Sequence, residues 1–332
     1  MKQFLQLIVV GMLLSLVGCS CDERTYRVQA LQQWMMPNGK LKALSTTAMI
    51  NDLVQEVGGE NVDALTLIIG ELDPHSYQLV KGDDEKLVFG DLIFYNGLGL
   101  EHGPSLQGFL LNQSKAIALG DKIQNADPAL IISYKGQVDP HIWMDVSLWA
   151  KTVHYIVEAL SKKDPVHAEA YRLNGEKLVQ NMMLEHANIR DELQAIPSVK
   201  RYLVTSHDAF NYFTRAYLAE TEESVPAWQE RFAAPEGLAP DSQLSAKDIQ
   251  EIINHLKKYN IRVIFPESNI SRDSIRKIVQ AAKEKGLDVK IATIPLFADA
   301  MGKKGSDGDT YLKMIKHNAK IIASYLEHNG NG

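Results

Sequence analysis

Cysteine is nearly missing from this 332-residue chain, whose two cysteines, Cys19 and Cys21, both stand near the start. The body of the chain after residue 22 therefore offers neither a disulfide framework nor thiolate ligands for a metal. Any metal bound there must be held by nitrogen and oxygen atoms.

An excess of basic residues is also lacking. The net charge is -6 at pH 7 and the pI is near 5.9, which argues against a nucleic-acid partner or a basic membrane-surface protein. The length predicts two domains, and 45% hydrophobic residues are enough for two cores.

The common enzyme motifs are missing as well. The sequence contains no His-Glu-x-x-His, no P-loop and no Gly-x-Ser-x-Gly. Gly97-Leu98-Gly99 begins like a dinucleotide-binding loop, but His102 stands where the third glycine belongs. His167-Ala168-Glu169 lacks the cysteine pair of a zinc deaminase. These motifs therefore point to neither a nucleotide site nor an activated nucleophile.

The first residues have the pattern of an export signal. Lys2 precedes an apolar run from Phe4 to Val17, which predicts a signal peptide over residues 1–18 and is too short for a comfortable membrane span. Leu16-Val17-Gly18-Cys19 resembles a bacterial lipobox, in which Cys19 becomes lipidated. A plain cleaved signal is the alternative. Either one predicts a protein of the periplasm or cell envelope, linked to the membrane only through a lipid on Cys19.

Short apolar runs alternate with amphipathic stretches after this point, which is typical of parallel sheets with helical crossovers. We predict an α/β fold with two parallel-sheet lobes, at residues 24–163 and 197–330. Residues 164–196 have the pattern of one long helix, which Asp164-Pro165 opens and Pro197 ends. Such a helix is long enough to join the two lobes; a long surface helix on a single domain is the alternative.

Asp-Pro-His occurs twice, at Asp73-Pro74-His75 and Asp139-Pro140-His141. Proline fixes its own φ and pushes the preceding residue towards extended geometry, so each motif presents its imidazole from a stiff loop. Stiff loops suit metal ligands, because the ligand positions must be accurate to tenths of an ångström. Two helix-starting turns, with the aspartate as the cap, are the alternative.

Candidate metal ligands follow predicted strands in both halves of the chain. The four candidates are His75, His141, His207 and Asp299, and His207 directly follows the predicted strand 201–206. Ligands of doubly wound sheets sit beyond the carboxyl ends of the strands. Three imidazoles and one carboxylate complete the ligand set of one divalent ion such as Zn, Mn or Fe. Each residue by itself also fits an ordinary loop or helix-cap position.

Other side chains are candidates for the surroundings of this site. His102 follows the Asn96-Gly97 turn and Glu267 follows the predicted strand 261–265, so either could lie in the cleft. Ligating histidines usually donate their second ring N–H to a carboxylate or carbonyl. The candidates for that role are Asp73, Asp139, Asp145 and Asp208.

Six segments carry a resemblance to a known family. They are Asp73-Pro74-His75, Asn96-Gly97-Leu98-Gly99-Leu100-Glu101, Asp139-Pro140-His141-Ile142-Trp143-Met144-Asp145, the long helix after Asp164-Pro165, Ser206-His207-Asp208-Ala209-Phe210 and Asp299-Ala300-Met301-Gly302. With these segments the chain resembles the metal-binding receptors of bacterial ABC importers, of the TroA and ZnuA type. The resemblance implies two lobes bridged by a rigid helix, with a metal in the cleft between them. The ligands that it implies are His75, His141, His207 and Asp299.

The resemblance also implies a function. The expected protein is not an enzyme but an extracytoplasmic solute-binding protein, which captures divalent Fe, Mn or Zn and delivers it to a cognate ABC permease and its ATPase. We expect it to be a monomer. The alternatives are a secreted metallohydrolase with a His-rich site and an adhesin lipoprotein that a metal stabilises.

Two departures from the family pattern leave the metal open. No histidine stands between Gly103 and Asp139, where dedicated zinc receptors commonly carry a His-rich loop. The segment 220–240, which its proline and glutamate content predicts to be mostly loop, is longer than usual.

Overall fold

The computed structural model describes residues 31–134, 136–239 and 244–328. The predicted export signal over 1–18 and Cys19 lie outside these residues, as do residues 24–30 and 329–330 of the two predicted lobes. Within the described ranges, no helix has both the length and the apolar character needed to cross a membrane.

The N-terminal half builds a parallel four-stranded sheet. Its strands are β1 (Leu41–Ser45), β2 (Val62–Thr66), β3 (Leu92–Tyr95) and β4 (Ala116–Ala118), arranged in the order β2-β1-β3-β4. The central strand β1 pairs in parallel on both sides, with Ala43 opposite Ala64 and Leu92. The sheet confirms the predicted α/β organisation of this half, because parallel neighbours require crossovers.

Helices connect these strands and extend the lobe. They are α1 (Ala48–Gly58), α2 (Asp83–Phe89), α3 (Pro104–Leu111), α4 (Leu119–Ala126) and α5 (Val146–Lys163). A short antiparallel pair of strands, β5 (Ser133–Tyr134) and β6 (Gln137–Val138), lies between α4 and α5 in the sequence. In α1 the apolar face of Ile50, Leu53 and Val57 is buried, and Gly59 ends the helix at φ 53°. A positive φ of this kind costs glycine little, so the helix stops where the sequence places the glycine pair.

One long helix, α6 (Ala168–Gln194), runs between the halves and has 27 residues. At the helical rise it is about 40 Å long. A 3-10 turn over Pro165–His167 precedes it, so the α-helix begins later than Asp164 and ends before Ile196. It packs against α1 and α5 of the first half and against α11 (Tyr311–His328) of the second. The long connecting helix of the predicted fold is therefore present.

Helices α5 and α6 approach each other closely at Gly175. A Cβ built at this position would lie 2.5 Å from Cγ2 of Val157. Gly175 is the weak point of the helical pattern in the sequence, and the structure shows that the missing side chain makes room for the neighbouring helix.

The C-terminal half also contains parallel strands. They are β7 (Leu203–Val204), β8 (Phe232–Ala233), β9 (Val263–Ile264) and β10 (Lys290–Ile291), and the helices around them are α7 (Asn211–Phe213, continued by a π-helical turn over Thr214–Leu218), α8 (Val225–Gln229), α9 (Ala246–Lys258), α10 (Asp273–Glu284) and α11. Strand β7 pairs with β8, and β9 pairs with β10. The Phe265 N–H donates to the Val204 carbonyl at 2.8 Å and joins the two pairs. Strands β7 and β9 are shorter than the predicted strands 201–206 and 261–265.

The segment 220–240 contributes more than the predicted loop. It contains the short helix α8 and the strand β8, which lies beside β7 in the sheet. Arg231 fixes it to the lobe by donating to the Ser198 carbonyl at 2.9 Å and to the Ser198 hydroxyl at 2.8 Å, and an ion pair with Glu223 at 2.7 Å holds the segment together internally. The prediction that this stretch is mostly loop is therefore wrong where it meets the sheet.

The two lobes share buried apolar side chains. Among the described residues, the largest cluster extends from Ile50 in the first lobe through Met182 of α6 to Phe265 and Tyr311 in the second. A smaller cluster lies within each lobe. The composition indicated enough apolar residues for two cores; the structure has a cluster in each lobe and a larger one that joins the lobes along α6.

Candidate metal centre

Four buried side chains meet between the lobes. His75 and His141 come from the loops after β2 and β6, whereas His207 and Asp299 come from the loops after β7 and β10. One ligand atom from each lies within 4.8 Å of the other three. Exposure is 3% for Asp299, 2% for His75 and 0% for the other two. The structure thus brings together all four residues that the sequence singled out.

The distances between these atoms match one shared ion. Nε2 of His75 lies 3.2 Å from Nε2 of His141, and Nε2 of His207 lies 3.2 Å from Oδ2 of Asp299. Oδ1 of Asp299 lies 3.5 Å from Nε2 of His141, and Oδ2 of Asp299 lies 3.8 Å from Nε2 of His75. Corners of a tetrahedron with metal–ligand bonds of about 2.1 Å stand about 3.4 Å apart. The observed separations lie on both sides of that value.

Three of the converging atoms are buried polar atoms without a hydrogen bond. Nε2 of His207 and both carboxylate oxygens of Asp299 find no hydrogen-bond partner among the described residues. Buried polar atoms are nearly always satisfied, because leaving one unpaired costs about 1–3 kcal/mol. A cation at the centre of the cluster would satisfy all three.

The two Asp-Pro-His loops share a turn but differ in the ring contact. In each motif the aspartate accepts from the backbone N–H of the histidine, at 2.8 Å for His75 and 2.9 Å for His141. Asp139 also lies 2.7 Å from Nδ1 of His141. Asp73 instead accepts from the Ser76 hydroxyl at 2.6 Å. A hydrogen bond to the aspartate therefore holds the backbone of both histidines, and a second contact with Asp139 also holds the ring of His141.

Glu267 holds the third histidine from behind. Its Oε1 accepts from the N–H groups of Ser206 and His207 at 2.9 and 3.0 Å, and its Oε2 contacts Nδ1 of His207. The carboxylate therefore faces the ring nitrogen that points away from the cluster. Such a partner fixes the ring orientation and makes the other nitrogen a better ligand.

Asn96 and Glu101 support the His141 loop, a role that sequence reasoning missed. The buried Glu101 carboxylate accepts from the N–H groups of Asn96 and Gly97 at 2.8 and 3.1 Å, and burial raises its pKa. The Asn96 side chain then donates to the Pro140 carbonyl at 2.9 Å. The available signal was a glutamate directly after a glycine-rich turn, where free backbone N–H groups need an acceptor.

Two hydrogen bonds tie the lobes together beside the cluster. The Tyr212 hydroxyl donates to the Asp139 carbonyl at 2.9 Å, and the Trp143 indole donates to the Ala298 carbonyl at 2.9 Å. Each joins a residue next to a proposed ligand in one lobe to a residue of the other lobe. The four side chains are therefore held in a preformed arrangement.

Three other predicted candidates do not belong to the cluster. Asp145 caps α5 by accepting from the Ser147 N–H at 3.0 Å, and Asp208 accepts from the Asn211 side chain at 2.7 Å. His102 is exposed, with its ring centroid 5.6 Å from that of His75, and does not belong to the cluster.

Burial and the carboxylates set the charge of the cluster. Burial lowers the pKa of His75 to about 4, so its imidazole is neutral at pH 7. Burial would also lower the pKa of His207, but Glu267 and Asp299 outweigh it and raise that pKa well above 6.5. For Asp299, burial is outweighed by the three imidazoles, chiefly His207, and its pKa falls below the usual range. The metal-free site thus carries an anionic Asp299 beside a cationic His207.

The fold and the cluster define the molecule as a two-lobed α/β protein with a long connecting helix and a candidate metal centre between its lobes. A profile of the family described as "ZnuA: Zinc-uptake complex component A periplasmic" matches residues 44–325. The chain belongs to this family of metal-binding receptors of ABC importers.

Known relatives cover nearly the whole chain. "Metal-binding protein YtgA" of Chlamydia pneumoniae is 38% identical over 87% of this chain and 86% of its own length. "Manganese-binding lipoprotein MntA" of Bacillus subtilis is 33% identical over 98% of this chain and 100% of its own length. The crystal structure of Fe(III)-bound YtgA from Chlamydia trachomatis superposes with a TM-score of 0.81 at 35% identity, covering 86% of this chain and 98% of the other.

Proposed function

We propose that His75, His141, His207 and Asp299 bind one divalent transition metal as cargo, which the protein captures outside the inner membrane and delivers to an ABC permease and its ATPase. The observation that carries this proposal is the convergence of four buried ligand atoms within 4.8 Å of one another, three of which, Nε2 of His207 and both oxygens of Asp299, make no hydrogen bond among the described residues. Two ligands come from each lobe, so release requires the lobes to shift relative to each other.

The donor set admits Fe, Mn and Zn. Imidazole and carboxylate ligands suit all three ions, and the order of intrinsic affinities does not by itself decide which one a cell loads. The names of the relatives point the same way, since they refer to Fe(III), manganese and zinc.

Carriage fits this site better than catalysis. Four protein ligands fill a tetrahedral shell, whereas catalytic zinc sites keep a position open for water or substrate. We therefore propose that the protein is not an enzyme. Steady turnover of an ester, amide or phosphate by the metal-loaded protein, lost on substitution of His207, would contradict this.

We further propose that residues 1–18 export the protein and that a lipid on Cys19 retains it at the envelope as a monomer. The relatives include proteins named as periplasmic or as lipoproteins, which supports this location.

Metal analysis of the protein purified from its own host tests the proposed function. The wild type should carry about one equivalent of one transition metal, and His141→Ala should carry almost none. His154→Ala, which removes an exposed imidazole from α5, is the matched control and should keep the metal. Equal metal content in His141→Ala and wild type would contradict the proposal.

A further inference from the structure

A fourth imidazole stands close to the proposed site without belonging to it. The ring centroid of His102 lies 5.6 Å from that of His75. The corresponding separation is 5.2 Å between His75 and His141 and 6.4 Å between His75 and His207. His102 is therefore as near to His75 as the rings that we propose to share one ion.

The backbone beside His102 packs against the loop that follows His75. It precedes Gly103, where a Cβ would lie 2.0 Å from the Tyr77 carbonyl oxygen, so the two backbones are in direct contact. The Leu79 N–H donates to the Ser105 hydroxyl at 2.9 Å. The segment with His102 and the loop with His75 thus form one packed unit.

The hydrogen bond that His102 makes leaves its other nitrogen available to a metal. Nδ1 of His102 lies 3.1 Å from the Gly99 carbonyl oxygen. A carbonyl only accepts, so Nδ1 carries the proton, and in the neutral ring Nε2 presents its lone pair. Neutral imidazole with a free Nε2 is the form that binds transition metals.

The cleft that leads to the cluster has His102 on its wall. This cleft has a volume of about 500 Å³, and its polar side chains among the described residues are those of His75, His102 and Gln137. Residues 237–239 of the other lobe also line it. Of the four proposed ligands, His75 is the one that lines it. An ion that enters here meets His102 and His75 before it reaches the other three ligands.

We propose that His102 is an entry ligand, which binds the incoming divalent ion at the mouth of the cleft and passes it to His75. The inference rests on the proposed function of the buried cluster. His102 contacts the ion only during entry and exit, so it lowers the barrier in both directions by the same amount. Its loss should therefore slow association and dissociation equally and leave Kd unchanged.

Stopped-flow kinetics of Mn²⁺ and Zn²⁺ binding to the full metal-free protein test this. The ring centroid of Trp143 lies 5.2 Å from that of His141, so its fluorescence serves as the reporter. His102→Gln should slow both rate constants by about tenfold. His102→Glu should stay close to the wild type, because a carboxylate also binds these ions. His154→Gln, at an exposed position on α5, is the matched control for loss of an imidazole.

Each alternative outcome overturns the proposal. Wild-type rates in His102→Gln would show that the ion does not use this residue. A changed Kd with unchanged association would make His102 an equilibrium ligand or a structural residue. Equal slowing in His102→Gln and His102→Glu would assign the effect to the lost Gly99 contact. If the wild type bound neither ion, the proposed function would fail first, which the same experiment shows separately.

Discussion

The two Asp-Pro-His motifs show what single residues reveal in sequence and what they do not. The proline-stiffened turn was predictable, because it depends on neighbouring residues, and the structure has it at both His75 and His141. The ring partner was not, since Asp139 reaches its histidine ring and Asp73 does not. Glu267 stands 60 residues from His207, and no local pattern joins them.

The Glu267 carboxylate should strengthen metal binding through His207. Glu267→Gln keeps a side chain that can bond to Nδ1 but removes the negative charge, so His207 becomes a poorer ligand. We expect the affinity for Zn²⁺ to fall by about 10–100-fold, measured by competition with a chelator of known affinity. Glu284→Gln, on the exposed side of α10, is the control and should bind as the wild type does. Unchanged Zn²⁺ affinity in Glu267→Gln would show that the charge of this carboxylate does not strengthen metal binding.

Metal binding at pH 7 should release one proton, and His207 is its source. The raised pKa of His207 keeps its ring protonated in the metal-free protein, whereas burial leaves His75 neutral with a pKa of about 4. The metal must displace a proton from His207, so apparent affinity should rise about tenfold per pH unit between pH 7 and the pKa of that ring. Calorimetric titrations in two buffers with different ionisation enthalpies measure the proton count. If metal binding released no proton at pH 7, the predicted positive charge on His207 would be wrong.

At the scale of elements, the order of strands and helices was predictable but their ends were not. The strand predicted over 201–206 is confined to Leu203–Val204. At Ser206 the backbone N–H donates to the Glu267 carboxylate and not to a neighbouring strand. The pattern of apolar residues cannot reveal this switch, because it reports burial and not the identity of the acceptor.

The contact between α5 and α6 predicts the effect of a small substitution. Gly175→Ala places a methyl group 2.5 Å from Val157 Cγ2, so we expect an overpacked interface that lowers the free energy of unfolding by about 1–3 kcal/mol. Gly108→Ala in α3 is the matched control, because nothing lies within 4 Å of its Cβ. In that variant the free energy of unfolding should rise by up to about 1 kcal/mol, because alanine has a higher helix propensity than glycine. Urea denaturation of both variants checks the pair, and a stabilised Gly175→Ala would contradict the described contact.

Over the whole molecule, the two-lobed arrangement with its long helix was predictable from the alternation of strands and helices. The shared core and the bonds across the cleft were not. Tyr212 and Asp139 are 73 residues apart, and Trp143 and Ala298 are 155 apart. Contacts at such separations leave no periodic signal in one sequence, so that the lobes face each other was implied only by the candidate ligands in both halves and by the family resemblance.

A carboxylate between the lobes predicts a pH-dependent stability. Asp52 of α1 accepts from the Tyr311 N–H at the start of α11 at 3.0 Å, and burial raises its pKa to about 6. An unfolded aspartate has a pKa of about 3.9, so between about pH 4 and 6 the native state holds more protons than the unfolded state. The contribution of Asp52 to stability therefore falls as pH rises through this window, by up to about 3 kcal/mol.

Asp52→Asn should remove this dependence, because asparagine stays neutral and still accepts from Tyr311. We expect the metal-free variant to be more stable than the wild type by about 1–3 kcal/mol at pH 7 and close to it at pH 4.5. Urea denaturation at both pH values measures the difference. Asp191→Asn, at an exposed position of α6, should behave the same at both. A difference independent of pH for Asp52→Asn would contradict the raised pKa.

Anomalous diffraction from crystals of the metal-loaded protein, recorded at the absorption edge of the bound metal, tests most directly whether both lobes hold one ion. If both lobes hold one ion, we expect a single strong peak about 2.0–2.2 Å from Nε2 of His75, His141 and His207 and from a carboxylate oxygen of Asp299. A peak bound by residues of only one lobe, or a peak outside this cluster, would contradict it.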